Sequence, residues 1–149
     1  MTPEEKQIKI QGELDKFLGR RSEIDKRVSE LMLTEPYSVI IERIDLSQYS
    51  TFLHTDPLSK NDRIHKSSLG RIVAVSSVKS PDEVIEAKKA LVKKDDYVIF
   101  NHEVAFHLAI KDFYELWIIH VDNILCVDRS VDMVETYKKT LEKKYELVC

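Results

Sequence analysis

Residues 92–101 read Val92-Lys93-Lys94-Asp95-Asp96-Tyr97-Val98-Ile99-Phe100-Asn101. Two adjacent acids lead straight into a β-branched and aromatic run. Aspartate favours turns because its short carboxylate bonds the backbone nearby. Val, Ile, Tyr and Phe fit a pleated, half-buried surface. The stretch therefore predicts a turn at Asp95-Asp96, not a catalytic acid pair, and a strand ending near Phe100. The same reading extends outward in both directions. Tyr37 to Ile44 is β-branched and bounded by Pro36, and Arg71 to Val75 follows Gly70. Val104 to Ile110, Glu115 to Val121 and Ile124 to Val127 complete the set. Short strands at this spacing predict a small barrel or sandwich. Trp117 and Phe113 read as core or strand-face aromatics.

The chain of 149 residues is one domain's worth. It holds 23 Lys and Arg against 26 Asp and Glu, a net charge of −3, with 43% hydrophobic residues. That apolar content excludes wholesale disorder. The near balance of charge argues against a nucleic-acid partner, which calls for a basic excess. Only 3 Gly are present, which raises the question of what forms the turns. The first residues are charged and no apolar run follows, so no secretory leader is expected. No apolar stretch approaches the roughly 18 residues of a membrane span. Cys126 sits in an apolar run and reads as a small buried hydrophobe, and Cys149 ends the chain. Two thiols do not make a disulfide framework, so a reducing, cytoplasmic compartment is expected.

Residues 1–34 read as a helical extension. Ile10, Leu14, Phe17, Ile24, Val28 and Leu31 follow a four-three spacing that only Arg21 interrupts. This heptad pattern suits a coiled coil. Two readings stand: an amphipathic helix lying on its own domain, or an oligomerisation helix that associates with copies of itself. Pro36 is expected to end it, because the residue before proline is pushed out of the α region.

Residues 35–129 form the strand-rich domain, interrupted twice. Residues 45–68 make a long polar loop, and a loop of that length inside a compact domain is usually functional or disordered. Ser80-Pro81-Asp82-Glu83 then carries a helix-start signal, with Ser80 as cap and Pro81 at the first helical position. A short helix is expected over 80–91. Residues 130–149 read as a C-terminal helix, with Val134, Tyr137, Leu141 and Tyr145 on one stripe and four lysines in its later turns.

Catalytic chemistry finds no constellation. The chain lacks a phosphate-cradling glycine loop, a nucleophile elbow and a Cys-x-x-Cys pair. His102 and His107 are five apart, which does not align two ligands on one helix face and puts them on opposite faces of a strand. No metal, no cofactor and no enzymatic activity are expected.

Four segments in order resemble the GroES-type co-chaperonin family. Val39-Ile40-Ile41-Glu42-Arg43 is similar to its first core strand. Ser68-Leu69-Gly70-Arg71-Ile72-Val73-Ala74-Val75 resembles its G-x-V-x-A-V strand. Val92 to Asn101 resembles its V-K-x-G-D-x-V-x-F turn and strand, with Asp95 where the family has glycine. Glu115 to Val127 resembles its closing E-x-x-I-x-x-x-x-D-I-L-A pattern. The long loop falls in the same interval as the family's mobile loop.

The resemblance implies a mainly β protein: a small, partly open GroES-like β-barrel, flanked here by the heptad helix and the C-terminal helix. It implies a homo-oligomeric ring, seven-membered in the family, that binds a chaperonin. Thr51, Phe52 and Leu53 lie nearest the family's apolar contact tripeptide. The glycine pair before that tripeptide, the family's glycine-rich roof hairpin and its bare termini are not matched. Those departures open a second expectation, a structural component of a phage virion that keeps the barrel as an oligomerisation module. Its partners would be other phage structural proteins, in a host cytoplasm or in the particle.

Overall fold

The computed structural model describes residues 2–44 and 67–146. A long helix α1 (Pro3–Ser29) precedes strands β1 (Ser38–Arg43) and β2 (Ser67–Val75). Helix α2 (Glu83–Ala90) leads to β3 (Tyr97–Asn101) and a two-residue β4 (Phe106–His107). Strands β5 (Leu116–His120) and β6 (Ile124–Asp128) and helix α3 (Met133–Glu146) follow. The strands form one antiparallel sheet in the order β4-β5-β1-β2-β3-β6. Among the described residues no pairing joins β4 to β6, so the sheet is open and not a closed barrel. The three helices hold more residues than the six strands, so the chain is mixed α/β rather than mainly β.

Alternation along β1 explains the layers. Successive side chains point to opposite faces, and Ser38 to Ile41 are all buried. Val39 and Ile41 join Ile72, Val98, Phe100 and Ile119 on one face, closed over by Ile85 of α2 and by Val92. Ile40 points the other way, with Val73 and Leu116, and meets Ile24 and Val28 of α1. Farther along that second face, Ile44, Leu69 and Tyr97 pack on Met133 of α3. At Gly70 three strands approach closely. A Cβ there would stand 3.1 Å from the Phe100 ring and 3.3 Å from the Glu42 carbonyl oxygen.

The heptad seam of α1 is filled from inside the chain. Ile10 and Leu14 pack on Leu141 of α3, Phe17 stacks on Tyr137 with ring centroids 4.8 Å apart, and Ile24 and Val28 cover the sheet. The seam read as an oligomerisation surface is therefore occupied by the helix's own domain. The physical reason is the sheet's second apolar face, which would otherwise meet water. Arg21 breaks the seam because its guanidinium meets Asp95 and the ring of Tyr97 at that level.

Helix boundaries follow the caps. Thr2 accepts a hydrogen bond from the Glu5 N–H, Pro3 opens the first turn, and Lys26 and Arg27 sit in the last. The helix stops at Ser29, well before Pro36. Leu31, last of the seam, lies beyond the helix and packs on the same cluster from the following segment. Helix α2 is capped by Asp82, whose carboxylate accepts from Val84 N–H, not by Ser80, which accepts from Asp82 N–H. The strand expected over Val104 to Ile110 shrinks to two residues. The Asn101 side chain caps a 3₁₀ turn at His102–Val104 and takes that backbone out of the sheet. Cys126 is exposed, not buried, because β6 is an edge strand.

Ile24→Ala is expected to lower unfolding free energy by about 2–5 kcal/mol in urea titrations. Ile8→Ala, on the open side of the same helix, is expected to change it by under about 0.5 kcal/mol. Equal effects would contradict the packing of α1 on its own sheet.

Candidate functional site

Thr51, Phe52 and Leu53 lie outside the described residues. The ends of their segment are described. The register of β1 and β2 brings Arg43 opposite Gly70, and the Ile44 N–H donates to the Leu69 carbonyl at 2.9 Å. Residues 45–66 thus leave from and return to one end of a paired stem.

Beside that stem lies a buried arginine. Arg71 on β2 is 1% exposed. Burying a guanidinium is costly unless it is paired and hydrogen-bonded. Its Nε donates to Glu42 of β1 at 2.8 Å, Nη1 to Asp95 at 2.8 Å and Nη2 to Asp25 of α1 at 3.0 Å. One planar fork therefore joins a helix, a neighbouring strand and a turn. Burial works against its charge, but Glu42 and Asp25 outweigh that and hold its pKa above the usual value. Lys94 stands 3.6 Å from Asp25 at the rim.

Asp95 has a left-handed backbone, φ 73°, and Asp112, before β5, has φ 70°. Aspartate tolerates this region better than most L-residues but normally yields it to glycine. Each turn is gripped by one of two adjacent arginines on α1. Arg21 reaches the Asp95 carboxylate at 3.4 Å, and Arg20 donates to the Asp112 carbonyl. Arg20 also makes a two-pronged pair with Glu115, at 2.8 and 2.7 Å, and lies over the Phe113 ring at 4.7 Å. Burial pushes the Asp95 carboxyl up, but Arg71 more than offsets it, and the group sits below the usual carboxylate range. Glu115 follows the same pattern with Arg20.

The two histidines take separate partners. His102 Nδ1 lies 3.0 Å from Ser68 Oγ, and His107 Nε2 lies 2.8 Å from the Tyr114 carbonyl. Among the described residues no group of three or more His, Cys, Asp or Glu is arranged to hold a metal ion. No described helix is long and apolar enough to cross a membrane. The converging carboxylates are all engaged by arginine, so the cluster ties elements together instead of presenting a reactive group. Sequence reasoning passed over Arg71. The available signals were a lone arginine inside an apolar strand and a lone arginine inside the heptad seam.

Comparison with protein-family models and with curated proteins gives no match.

Arg71→Ala removes the buried member of the cluster and leaves the half-buried Glu42 without its partner, and is expected to cost about 3–5 kcal/mol, read from urea unfolding. Lys94→Ala, at the exposed rim, is expected to cost under about 1 kcal/mol. The folded-state pKa values of Asp95 and Glu115 are depressed. Their contribution is complete above their unfolded values of about 4 and is lost as pH falls through the folded ones. Melting temperature is therefore expected to drop below about pH 4, and less steeply in the Asp95→Asn/Glu115→Gln variant. An unchanged acid slope in that variant would count against these pairs. Asp112→Gly keeps the carbonyl that Arg20 uses and is expected to be neutral or stabilising by up to about 1 kcal/mol. Asp95→Gly removes a carboxylate from Arg71 and is expected to destabilise.

Proposed function

We propose that this chain is a co-chaperonin-like protein that forms a homo-oligomeric ring and grips a chaperonin through residues 45–66, with Thr51, Phe52 and Leu53 at the contact. The observation that carries this reading is Asp95. It adopts the left-handed backbone at the one position of its turn where the co-chaperonin family has glycine. The four resembling segments also pair as neighbours in one antiparallel sheet, β5-β1-β2-β3-β6. The long segment leaves from the stem between the first two of them. A hydrophobic cluster that draws Trp117 from β5 and Ile124 and Val127 from β6, at the two sides of the sheet, suits a partly open GroES-like barrel.

The mechanism is physical rather than chemical. A segment that orders on binding sets ordering entropy against contact energy, so each grip is weak. A ring presents several grips at once, and their effective concentration multiplies the affinity. Weak single contacts let a lid release, while multiple contacts let it hold. No catalytic step is part of this function, and its place of action is the cytoplasm.

Native mass spectrometry of the purified protein is expected to give one closed oligomer. Phe52→Asp and Leu53→Asp are expected to abolish capture of a chaperonin while leaving the oligomer intact. A monomer at every concentration, or full chaperonin capture by both variants, would refute the reading.

A further inference from the structure

Among the described residues three histidines make hydrogen bonds through the ring, and one of those bonds requires the neutral form. His107 Nε2 faces the Tyr114 carbonyl, so it already donates there, and protonation keeps the bond. His102 Nδ1 faces the Ser68 hydroxyl, which donates or accepts as the ring demands. His120 differs. Its Nδ1 accepts from the Asp122 N–H at 3.0 Å. A backbone N–H only donates, so Nδ1 must offer its lone pair and the neutral ring holds its proton on Nε2. This bond caps the 3₁₀ turn Val121–Asn123 that joins β5 to β6. The chain holds the same device in a form that does not titrate. Asn101, at the end of β3, accepts from the Glu103 N–H at 3.1 Å and caps the turn at His102–Val104.

The capped turn also anchors α2, the helix that closes one face of the sheet through Ile85. Asp122 Oδ1 lies 2.6 Å from Lys88 Nζ, and Oδ2 lies 3.5 Å from His120 Nδ1. The Lys88 ammonium, with a smaller contribution from His120, holds the Asp122 carboxyl below the usual carboxylate range. That carboxylate is therefore charged wherever an imidazole titrates. Tyr37, before β1, stacks on the His120 ring with centroids 4.4 Å apart, and its carbonyl accepts from the Val121 N–H. Asp122, Lys88 and Tyr37 are thus the titratable groups that face the ring among the described residues, and Ser38, its partner in β1, carries no charge. A stacked tyrosine tolerates a cation. We propose that His120 is a proton-operated catch on this turn. Neutral, it seats the turn and presents Asp122 to Lys88. Protonated, it releases the Asp122 N–H, takes the Asp122 carboxylate as its own acceptor and loosens α2. The reason is that two hydrogens cannot share the space between the ring and the backbone. Once Nδ1 carries a proton it repels that N–H, and the acceptor at hand is the carboxylate that Lys88 uses. The inference concerns the folded chain alone and does not rest on the ring reading.

Nuclear magnetic resonance of the isotope-labelled full chain tests both halves. A coupling through the hydrogen bond, between the Asp122 amide nitrogen and His120 Nδ1, is expected at about pH 8 and is expected to vanish at about pH 5, either side of the ordinary imidazole value. Carboxylates and lysines keep their charge over that range. Protection of the α2 amides against hydrogen exchange, corrected for the intrinsic effect of pH, is expected to fall roughly two- to fivefold, the contribution of one exposed ion pair. His120→Asn keeps an acceptor for the Asp122 N–H, as Asn101 does for Glu103, and is expected to hold that protection constant while the other four histidines still titrate. Asp122→Asn keeps the N–H but drops the Lys88 pair, and is expected to give the lower protection at both pH values. A neutral ring with its proton on Nδ1, or a coupling that persists once the ring is charged, would overturn the proposal. So would α2 protection that ignores pH in the native chain, or that falls equally in His120→Asn.

Discussion

A guanidinium removed from water needs acceptors for its N–H donors, and Arg71 finds three on three different elements. Glu42 belongs to the neighbouring strand, Asp95 to the turn before β3, and Asp25 to α1. None of these elements supplies enough alone. The sheet, its turn and its covering helix must therefore meet at one point for the charge to be satisfied. The apolar clusters supply most of the attraction, but hydrophobic burial is non-directional. The arginine fork is directional, and it fixes where along the sheet α1 lies.

The same helix answers for the scarcity of glycine. Among the described residues two turns have left-handed backbones, and both are taken by aspartate. The strain there is modest for aspartate and is offset by Arg20 and Arg21, neighbours on α1 that each hold one turn. At these two turns charged residues do what glycine does elsewhere. Arg21, which looks like a flaw in the heptad seam, is the residue that the turn at Asp95 requires.

Strands were legible in the sequence wherever β-branched runs were bounded by turn residues, as at Tyr37–Ile44 and Tyr97–Asn101. The run at Val104 was misleading because Asn101 caps a turn there, and capping is a local contest that composition does not decide. Periodicity located the α1 seam correctly but was silent on what lies opposite it. An apolar stripe records that a face is buried, not by which surface. Cys126 reads as buried from its neighbours, yet position in the sheet order, not local hydropathy, exposes it. Closure of a barrel depends on tilt and stagger, which no single strand encodes. The Thr51–Leu53 contact rests on resemblance, while the Arg71 cluster emerges only from side chains that are distant in sequence.

A fold does not fix a function, which lives in the site the fold carries. The sheet, the stem of the 45–66 segment and the arginine-held turns form the frame from which a gripping loop could work. That frame depends on the coupling of α1 to the sheet through Arg71. A double-mutant cycle between Asp25→Asn and Arg71→Gln, read by urea denaturation, measures that coupling most directly. The pair is expected to show an interaction energy of about 0.5–3 kcal/mol. Additivity within about 0.3 kcal/mol would contradict it, and would leave α1 held by apolar contact and by Arg20 and Arg21.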